Sequence, residues 1–331
     1  MKHAFYISIL IVLLTSCSSD EPYIDNFTAS LSFIVQMSDG TLQRIAKDNS
    51  ITQIELGDAN IGQISKIKKF RGKYYLISET KRKVFILTEK TYELAEVDYS
   101  EYGFTPADIC FPNATDAYVI DKNYGIVTII DLTTNQLASI RITIDDAAGS
   151  IDGTGNQVYV TLPQMDVVSV IDTRTNTVVD NISVPNSPTY VAFTDDGTSA
   201  VVLSTTLPNV SVVDVTNRNV KTELTLGGAN TDASKKIMPT AIISSPTYMY
   251  ITANNGTTSG YALWRMTAST LRSAVSMSKV KNVCAGYSGN ANVFYVVEDA
   301  NTPQITLYDA KSNERMRTIP IPTLPTAIIL E

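Results

Sequence analysis

The sequence predicts an all-β protein, a seven-bladed β-propeller of four-stranded blades that is closed by pairing of the C-terminal strand with the first blade. Short runs rich in β-branched and aromatic residues, each ended by a turn cluster, recur with a period of about 40 residues. The first unit is one strand short of the others. Residues 325–329, PTAII, repeat the opening strand of the sixth unit, 239–243, and supply the missing strand. Closure of this kind leaves only short, protected sheet edges.

The repeating unit is clearest at 157–184, where three β-rich runs are separated by a loop and a tight turn. Three strands are predicted in the first unit, at Leu31–Gln36, Thr41–Ala46 and Thr52–Leu56. The other units occupy residues 61–99, 105–142, 149–184, 187–226, 238–277 and 282–321. An open solenoid would need polar capping repeats at both ends, and none is visible, so the pattern favours a closed ring.

The N-terminal residues predict a lipid anchor. Residues 1–16 resemble a lipoprotein signal peptide, with a basic Lys2, an apolar run at 5–14 and a lipobox-like ending at Cys17. The apolar run is about ten residues long and a bilayer needs about 20, which disfavours a spanning helix. We expect lipidation of Cys17, a tether over 17–29 and a propeller over 30–331. The acidic pair 20–21 favours an outer-membrane protein exposed at the cell surface, although the leaflet stays open.

Composition argues against several function classes. The formal net charge is −7 without a long basic cluster, which disfavours nucleic-acid binding. The only histidine, His3, falls in the signal peptide, so His-dependent nucleophilic catalysis and His-type metal sites are not expected. Cys110 and Cys284 lie in apolar runs and predict buried free thiols. We therefore expect a non-enzymatic protein without a cofactor or metal, while a Ca²⁺ site of carboxylate and carbonyl oxygens stays open.

Several charged groups have a simpler structural interpretation. An aspartate ends the third strand of four units, where its side chain can accept hydrogen bonds from turn N–H groups; these are Asp131, Asp172, Asp214 and Asp309. The basic groups 66–69 and 81–83 are interpreted as solvated strand edges. Residues 152–155, DGTG, and 195–197, DDG, are interpreted as hairpin turns.

A binding site is expected on one face of the ring. In a propeller, the loops between the second and third strands share a face with the segments that join one blade to the next, and we call it the connector face. The longest predicted loops lie there, at Tyr99–Thr105, Gly227–Met238 and Asn254–Tyr261. The opposite turn face has short predicted turns. Candidate ligand-binding residues on the connector face are Tyr102, Phe104, Tyr124, Met165, Asp166, Asn209, Asn254, Asn255, Tyr261 and Thr302. The alternative is that these side chains only pack their own loops.

Three short motifs are each followed by a loop and by a strand rich in valine or isoleucine: 159–161, YVT; 118–120, YVI; and 250–254, YITAN. These motifs resemble YVTN-type β-propeller repeats. The resemblance covers about residues 30–331, although only one blade shows YVT and it continues with Leu162. Some lipid-anchored propellers of similar layout capture corrinoids, compounds related to vitamin B12, and pass them to a TonB-dependent transporter. No shared motif carries binding residues across.

The resemblance implies capture of an extracellular ligand, with a corrinoid as the most specific candidate and a TonB-dependent transporter as partner. One alternative is a scaffold whose connector face binds a protein or glycan. Another is a lyase-like or lactonase-like propeller that uses a metal held by carboxylates.

Overall fold

The computed structural model describes residues 31–226, 237–245, 248–254, 261–267, 271–277, 279–288 and 292–331. Within these residues, 28 strands form seven four-stranded antiparallel sheets. The signal peptide, Cys17 and the tether lie outside the described residues, as does most of the predicted loop Gly227–Met238. The described part contains no helix of the length and apolarity that crossing a membrane requires.

The first three blades are continuous in sequence apart from one strand. The first contains β1 (Phe33–Gln36), β2 (Leu42–Ile45) and β3 (Ile51–Gln53). The second contains β4 (Lys66–Phe70), β5 (Lys73–Ser78), β6 (Lys83–Thr88) and β7 (Leu94–Asp98). The third contains β8 (Pro106–Cys110), β9 (Asp116–Asp121), β10 (Ile126–Asp131) and β11 (Gln136–Thr143).

The remaining blades follow the same order. The fourth contains β12 (Ile151–Thr154), β13 (Gln157–Leu162), β14 (Val167–Asp172) and β15 (Thr177–Ser183). The fifth contains β16 (Pro188–Phe193), β17 (Ser199–Ser204), β18 (Asn209–Asp214) and β19 (Asn219–Thr225). The sixth contains β20 (Pro239–Ser244), β21 (Met249–Asn254), β22 (Tyr261–Met266) and β23 (Leu271–Met277). The seventh contains β24 (Lys279–Ser288), β25 (Val293–Asp299), β26 (Gln304–Asp309) and β27 (Arg315–Pro320), and the last strand is β28 (Ala327–Leu330).

The ring closes in the first blade, as the sequence predicts. Strand β28 pairs antiparallel with β1, from Phe33 opposite Leu330 to Gln36 opposite Ala327. It thereby becomes the innermost strand of that blade. The innermost strands of neighbouring blades contact each other in unbroken succession: β28, β4, β8, β12, β16, β20, β24 and β28 again. They surround a central channel.

The side chain of Glu331 fastens the closing strand. Its carboxylate accepts hydrogen bonds from the Arg44 guanidinium at 2.5 Å, the Tyr92 hydroxyl at 2.9 Å and the Ser32 hydroxyl. Arg44 lies in the first blade and Tyr92 in the second. The contacts therefore join the closing strand to two blades.

Hydrophobic clusters fill the spaces between adjacent blades. Successive residues of a strand point to opposite faces of its sheet, so Tyr74 packs toward the first blade and Tyr75 toward the third. Strands buried on both faces therefore read as continuous apolar runs, as in β13, where 158–162 are all buried. The outermost strands alternate instead, and β19 exposes every second residue.

One predicted strand of the first blade is misplaced. The sequence predicts a strand over Thr52–Leu56, but β3 spans Ile51–Gln53. Ile54 and Leu56 belong instead to the connector 54–65, because their side chains join Ile61 and Ile64 in the cluster between the first two blades. The other two predicted strands of this blade extend one or two residues beyond β1 and β2.

Candidate functional site

The topology places the predicted binding residues on the connector face. Tyr102 and Phe104 lie between the second and third blades, and the other described candidates lie in, or border, loops between second and third strands: Tyr124, Met165, Asp166, Asn209, Asn254 and Thr302. Tyr261 opens β22, but its side chain and all of Asn255 are outside the described residues.

Large exposed apolar side chains are unevenly distributed over the described surface. Tyr102 is 49% exposed, Tyr124 56% and Met165 44%. All three lie on the connector face: Tyr102 between the second and third blades, Tyr124 on the third blade and Met165 on the fourth. The other large exposed apolar residues, Ile51, Ile140 and Val179, lie on outermost strands at the rim. Within the described residues, the turn face carries none.

A short, well-anchored turn presents Tyr102. The 3₁₀ turn Ser100–Tyr102 follows the buried Tyr99, whose hydroxyl lies 3.3 Å from the Thr128 hydroxyl. Gly103, at φ 72°, ends the turn in the left-handed conformation that glycine adopts without steric cost. The backbone that carries the exposed Tyr102 ring is therefore anchored by Tyr99 before the turn and ended by Gly103 after it.

Arg141 completes an aromatic and cationic patch around Tyr102. Its guanidinium lies 4.4 Å from the Tyr102 ring centre and 5.6 Å from that of Phe104. The two rings are stacked with their centres 6.3 Å apart. Arg141 is on β11, and sequence reasoning missed it, because a single arginine in an outermost strand gives no signal of the ring beside it. The patch offers flat apolar area and a positive charge.

The buried carboxylate of Asp121 holds two connector-face loops together. It accepts hydrogen bonds from the Thr105 N–H at 2.5 Å, the Asn123 N–H at 2.8 Å and the Tyr124 N–H at 2.5 Å. Thr105 follows Phe104 directly, so one side chain fixes the backbone near both exposed tyrosines.

Two predicted binding residues have structural partners of this kind. Asp166 accepts a hydrogen bond from the Ser187 N–H at 2.6 Å, and Asn254 accepts one from the Met238 N–H at 2.9 Å. Both fasten the segment that enters an innermost strand. Thr302 is exposed and Asn209 half-buried.

The central channel is the second candidate region. It forms a cavity of about 620 Å³ lined by residues of all seven innermost strands. The predicted interpretation of 66–69 as a solvated edge is wrong, because these residues form innermost strand β4 and line the channel. The Lys66 Nζ lies 2.6 Å and the Lys68 Nζ 3.0 Å from the carboxylate of Asp108 in the next blade. Local sequence could not reveal this pair, which forms only when the blades pack.

The interpretation of 152–155 as a hairpin turn is also incorrect. Asp152 lies in β12, and only Gly155 reaches the turn. The Asp152 carboxylate accepts hydrogen bonds from the Phe193 N–H of the next blade and the Gly153 N–H, each at 2.9 Å. Strands β12 and β28 are the shortest innermost strands described, with four residues each. In β12 the glycines that indicate a turn lie within or next to the strand, so the sequence did not indicate a strand there.

Electrostatics distinguish the channel groups. Burial disfavours ionisation of Asp108, but the charges of Lys66 and Lys68 outweigh it and lower the pKa of that carboxyl. Burial lowers the pKa of Lys66. Burial acts in the same direction on Lys68, but Asp108 and Asp152 outweigh it and raise its pKa. For Asp152, burial dominates and raises the pKa of the carboxyl.

The aspartates that end third strands are structural, as predicted. Asp131 accepts from the Thr133 N–H at 2.7 Å, Asp172 from the Arg174 N–H at 2.8 Å and Asp309 from the Ser312 N–H at 2.6 Å. Asp214 accepts in the same way from Asn217 at 2.8 Å. The DDG segment likewise forms a hairpin turn, in which the Asp196 carboxylate accepts from the Thr198 N–H.

Cys110 is a buried free thiol, as expected, and burial raises its pKa. The side chain of Cys284 is outside the described part. Among the residues that the structure describes, no three His, Cys, Asp or Glu side chains are grouped to hold a metal ion.

No protein-family model and no curated protein matches the chain. Solved structures do. A Bacteroides fragilis protein provisionally described as a 6-phosphogluconolactonase is 15% identical at a TM-score of 0.69, covering 92% of this chain and 98% of that one. A Lactobacillus plantarum protein is 12% identical at 0.68, covering 91% and 99%. A periplasmic gluconolactonase of Pseudomonas aeruginosa is 13% identical at 0.67, covering 91% and 98%. The chain shares their propeller fold, and identities this low establish the fold alone.

Proposed function

We propose that the protein is a non-enzymatic binding protein whose connector face captures a large amphipathic ligand. The observation that carries the proposal is the exposure of Tyr102, Tyr124 and Met165 on one face, between the second and fourth blades. Exposed aromatic side chains on rigid backbone bind flat apolar surface at little entropic cost. Arg141 beside Tyr102 adds attraction for an anionic or electron-rich group.

A corrinoid is the ligand we propose, delivered to a TonB-dependent outer-membrane transporter by a surface protein lipidated at Cys17. This finer proposal rests on the resemblance to corrinoid-capturing propellers. A corrinoid combines a broad ring with polar side groups, which matches a face that mixes Tyr102 and Tyr124 with amide, hydroxyl and carboxylate groups.

Calorimetric titration of cyanocobalamin into the full chain tests the proposal. We expect saturable one-to-one binding that Tyr102→Ala weakens by at least about tenfold, because aromatic anchors dominate binding energy. Val179→Ala is the matched control: Val179 is 41% exposed on outermost strand β15, near the end of that strand that borders the turn face. Equal weakening by both variants, or absence of heat, contradicts corrinoid capture and favours a scaffold for protein or glycan.

Lactone hydrolysis is the second candidate function, favoured by the fold shared with two proteins described as lactonases. The channel carboxylates Asp108 and Asp152 are its candidate acid or base groups. Hydrolysis of gluconolactone that is faster than the uncatalysed rate and lost in Asp152→Asn would support it. A rate equal to that of buffer would exclude gluconolactone as a substrate.

A further inference from the structure

The channel contains two ammonium groups that share one carboxylate. Lys66 and Lys68 both pair with Asp108, at 2.6 and 3.0 Å. An ammonium carries three N–H donors, and one donor of each satisfies Asp108. No further acceptor for either lysine is found among the described residues. Donors of both ammonium groups therefore remain available to whatever occupies the channel.

Accessibility makes the cations, rather than their partner, the groups that a channel occupant meets. The Asp108 side chain is 4% exposed, whereas those of Lys66 and Lys68 are 21% and 31% exposed. Both lysines line the cavity, as Asp108 does. An occupant therefore encounters positive charge at this position on the wall.

Asp152, the other acidic group near the lysines, directs its oxygens elsewhere. Both are bonded to backbone N–H groups, of Gly153 and Phe193. Burial raises the pKa of this carboxyl. Lys69 and Glu331 also line the cavity, but each is paired, with Glu89 at 2.9 Å and with Arg44 at 2.5 Å.

The surrounding wall suits a small polar occupant. Each innermost strand pairs with a neighbouring strand on one side only, so its other edge borders the channel with backbone N–H and C=O groups, apart from those bonded to the next blade, such as the Val191 and Phe193 N–H groups. The Ser150 and Tyr190 side chains add hydroxyl groups. Inside a cavity of about 620 Å³ the charges are screened less by water than they would be on an open surface.

We propose that the channel is an oxyanion site, in which the phosphate, sulfate or carboxylate group of a small molecule binds between the Nζ atoms of Lys66 and Lys68. The anion accepts the donors that Asp108 leaves available. This site does not include the aromatic residues of the connector face. Whether an anion binds in the channel is therefore independent of whether a ligand binds to those residues.

Titration of the full chain with inorganic phosphate, measured by calorimetry, tests the site. We expect Lys68→Met to raise the Kd at least about tenfold, because a charge-assisted pair is lost in a low-dielectric cavity. Lys83→Met is the matched control, since Lys83 is 24% exposed and pairs with Glu96 and Asp98 at the rim. It should leave the Kd within about twofold. Asp152→Asn should lower the Kd by about threefold, because it removes a nearby negative charge and retains an acceptor for Phe193.

Absence of phosphate, sulfate and acetate binding overturns the proposal, as does equal weakening by Lys68→Met and Lys83→Met. Binding of acetate alone indicates that the ligand of the channel carries a carboxylate group. Binding of phosphate or sulfate indicates that it is a phosphate or sulfate ester. If Lys68→Met does not fold, NMR of the unmodified chain decides. The amides of Val191 and Ala192, which line the channel on β16, should then shift with phosphate while the rim amide of Val179 does not.

Discussion

The connector face and the turn face are built from the same strands but stabilise their loops differently. On the turn face, an aspartate accepts N–H groups two or three residues ahead, as Asp131 and Asp309 do, and each turn satisfies itself. On the connector face, a buried polar side chain fastens segments that are distant in sequence, as Asp121 does for Thr105.

The difference has a consequence for the surface. A turn that satisfies its own backbone needs only small polar residues. On the connector face, Asp121 bonds its own turn and also a distant segment, and the exposed Tyr102, Tyr124 and Met165 lie in loops of that face. The connector face can therefore expose large apolar side chains without loss of loop order.

The largest effect is expected from removal of an internal fastening. Asp121→Ala leaves the Thr105, Asn123 and Tyr124 N–H groups without their acceptor and should reduce the free energy of unfolding by about 3 kcal/mol. Asp131→Ala, on the turn face, should cost clearly less, because water replaces the lost acceptor. Urea unfolding of both variants measures the difference, and equal losses would contradict it.

Glycines on the two faces should respond for different reasons. A Cβ on Gly125, on the connector face, would lie 2.2 Å from the Ile144 carbonyl oxygen, so Gly125→Ala should cost about 2 kcal/mol. Gly197, on the turn face, has φ +66° and its added Cβ would meet only the Thr154 side chain at 3.3 Å. Gly197→Ala should cost about 1 kcal/mol through backbone strain alone. Thermal unfolding orders the two, and a larger loss at Gly197 would be inconsistent with the clash.

Acid should weaken the turn that Asp172 stabilises. Hydrogen bonds from Arg174 lower the pKa of Asp172 to about 2, from an ordinary value of 3.8. A lowered folded-state pKa gives stability that is present above about pH 4 and lost as the pH falls toward about 2. Asp172→Asn should therefore be less stable than the unmodified chain at neutral pH and approach it in acid. Melting temperatures across this range test it, and a difference independent of pH would refute the assignment.

The smallest effect on stability is expected from the exposed tyrosine. Tyr102→Ser should change the free energy of unfolding by about 0.5 kcal/mol, since it removes an exposed contact with Arg141. Buried Tyr99, three residues earlier, provides the comparison, and Tyr99→Ser should cost several times more. Similar losses in urea would mean that Tyr102 packs its own loop.

The architecture was predictable because each blade repeats the same local sequence pattern of apolar strands and polar turns. Runs such as 158–162 alternate with turn residues at a fixed period, and the repeated PTAII segment reveals the strand that completes the first blade. Turn chemistry is equally local, so the roles of Asp131 and Asp214 followed from the residues around them.

The channel was not predictable, since its groups come together only through blade packing. Lys66 and Asp108 belong to different blades, and a lysine-rich strand start resembles an exposed edge. Asp152 was hidden by two glycines that indicate a turn. On the connector face, the sequence indicated Tyr102 but not Arg141, whose position over the ring depends on an adjacent blade.

The pairing of β28 with β1 joins segments almost the whole chain apart. Until that pairing forms, β1 presents an open edge with buried-type residues such as Ile34 and Val35. Contacts of such long sequence separation form slowly, because the entropy cost of closing the loop precedes the stabilisation that the contacts provide. During synthesis, blades two to seven can assemble before β28, the innermost strand of the first blade, has been made. The interval before closure is therefore when the chain is most open to aggregation or to a chaperone that covers the β1 edge.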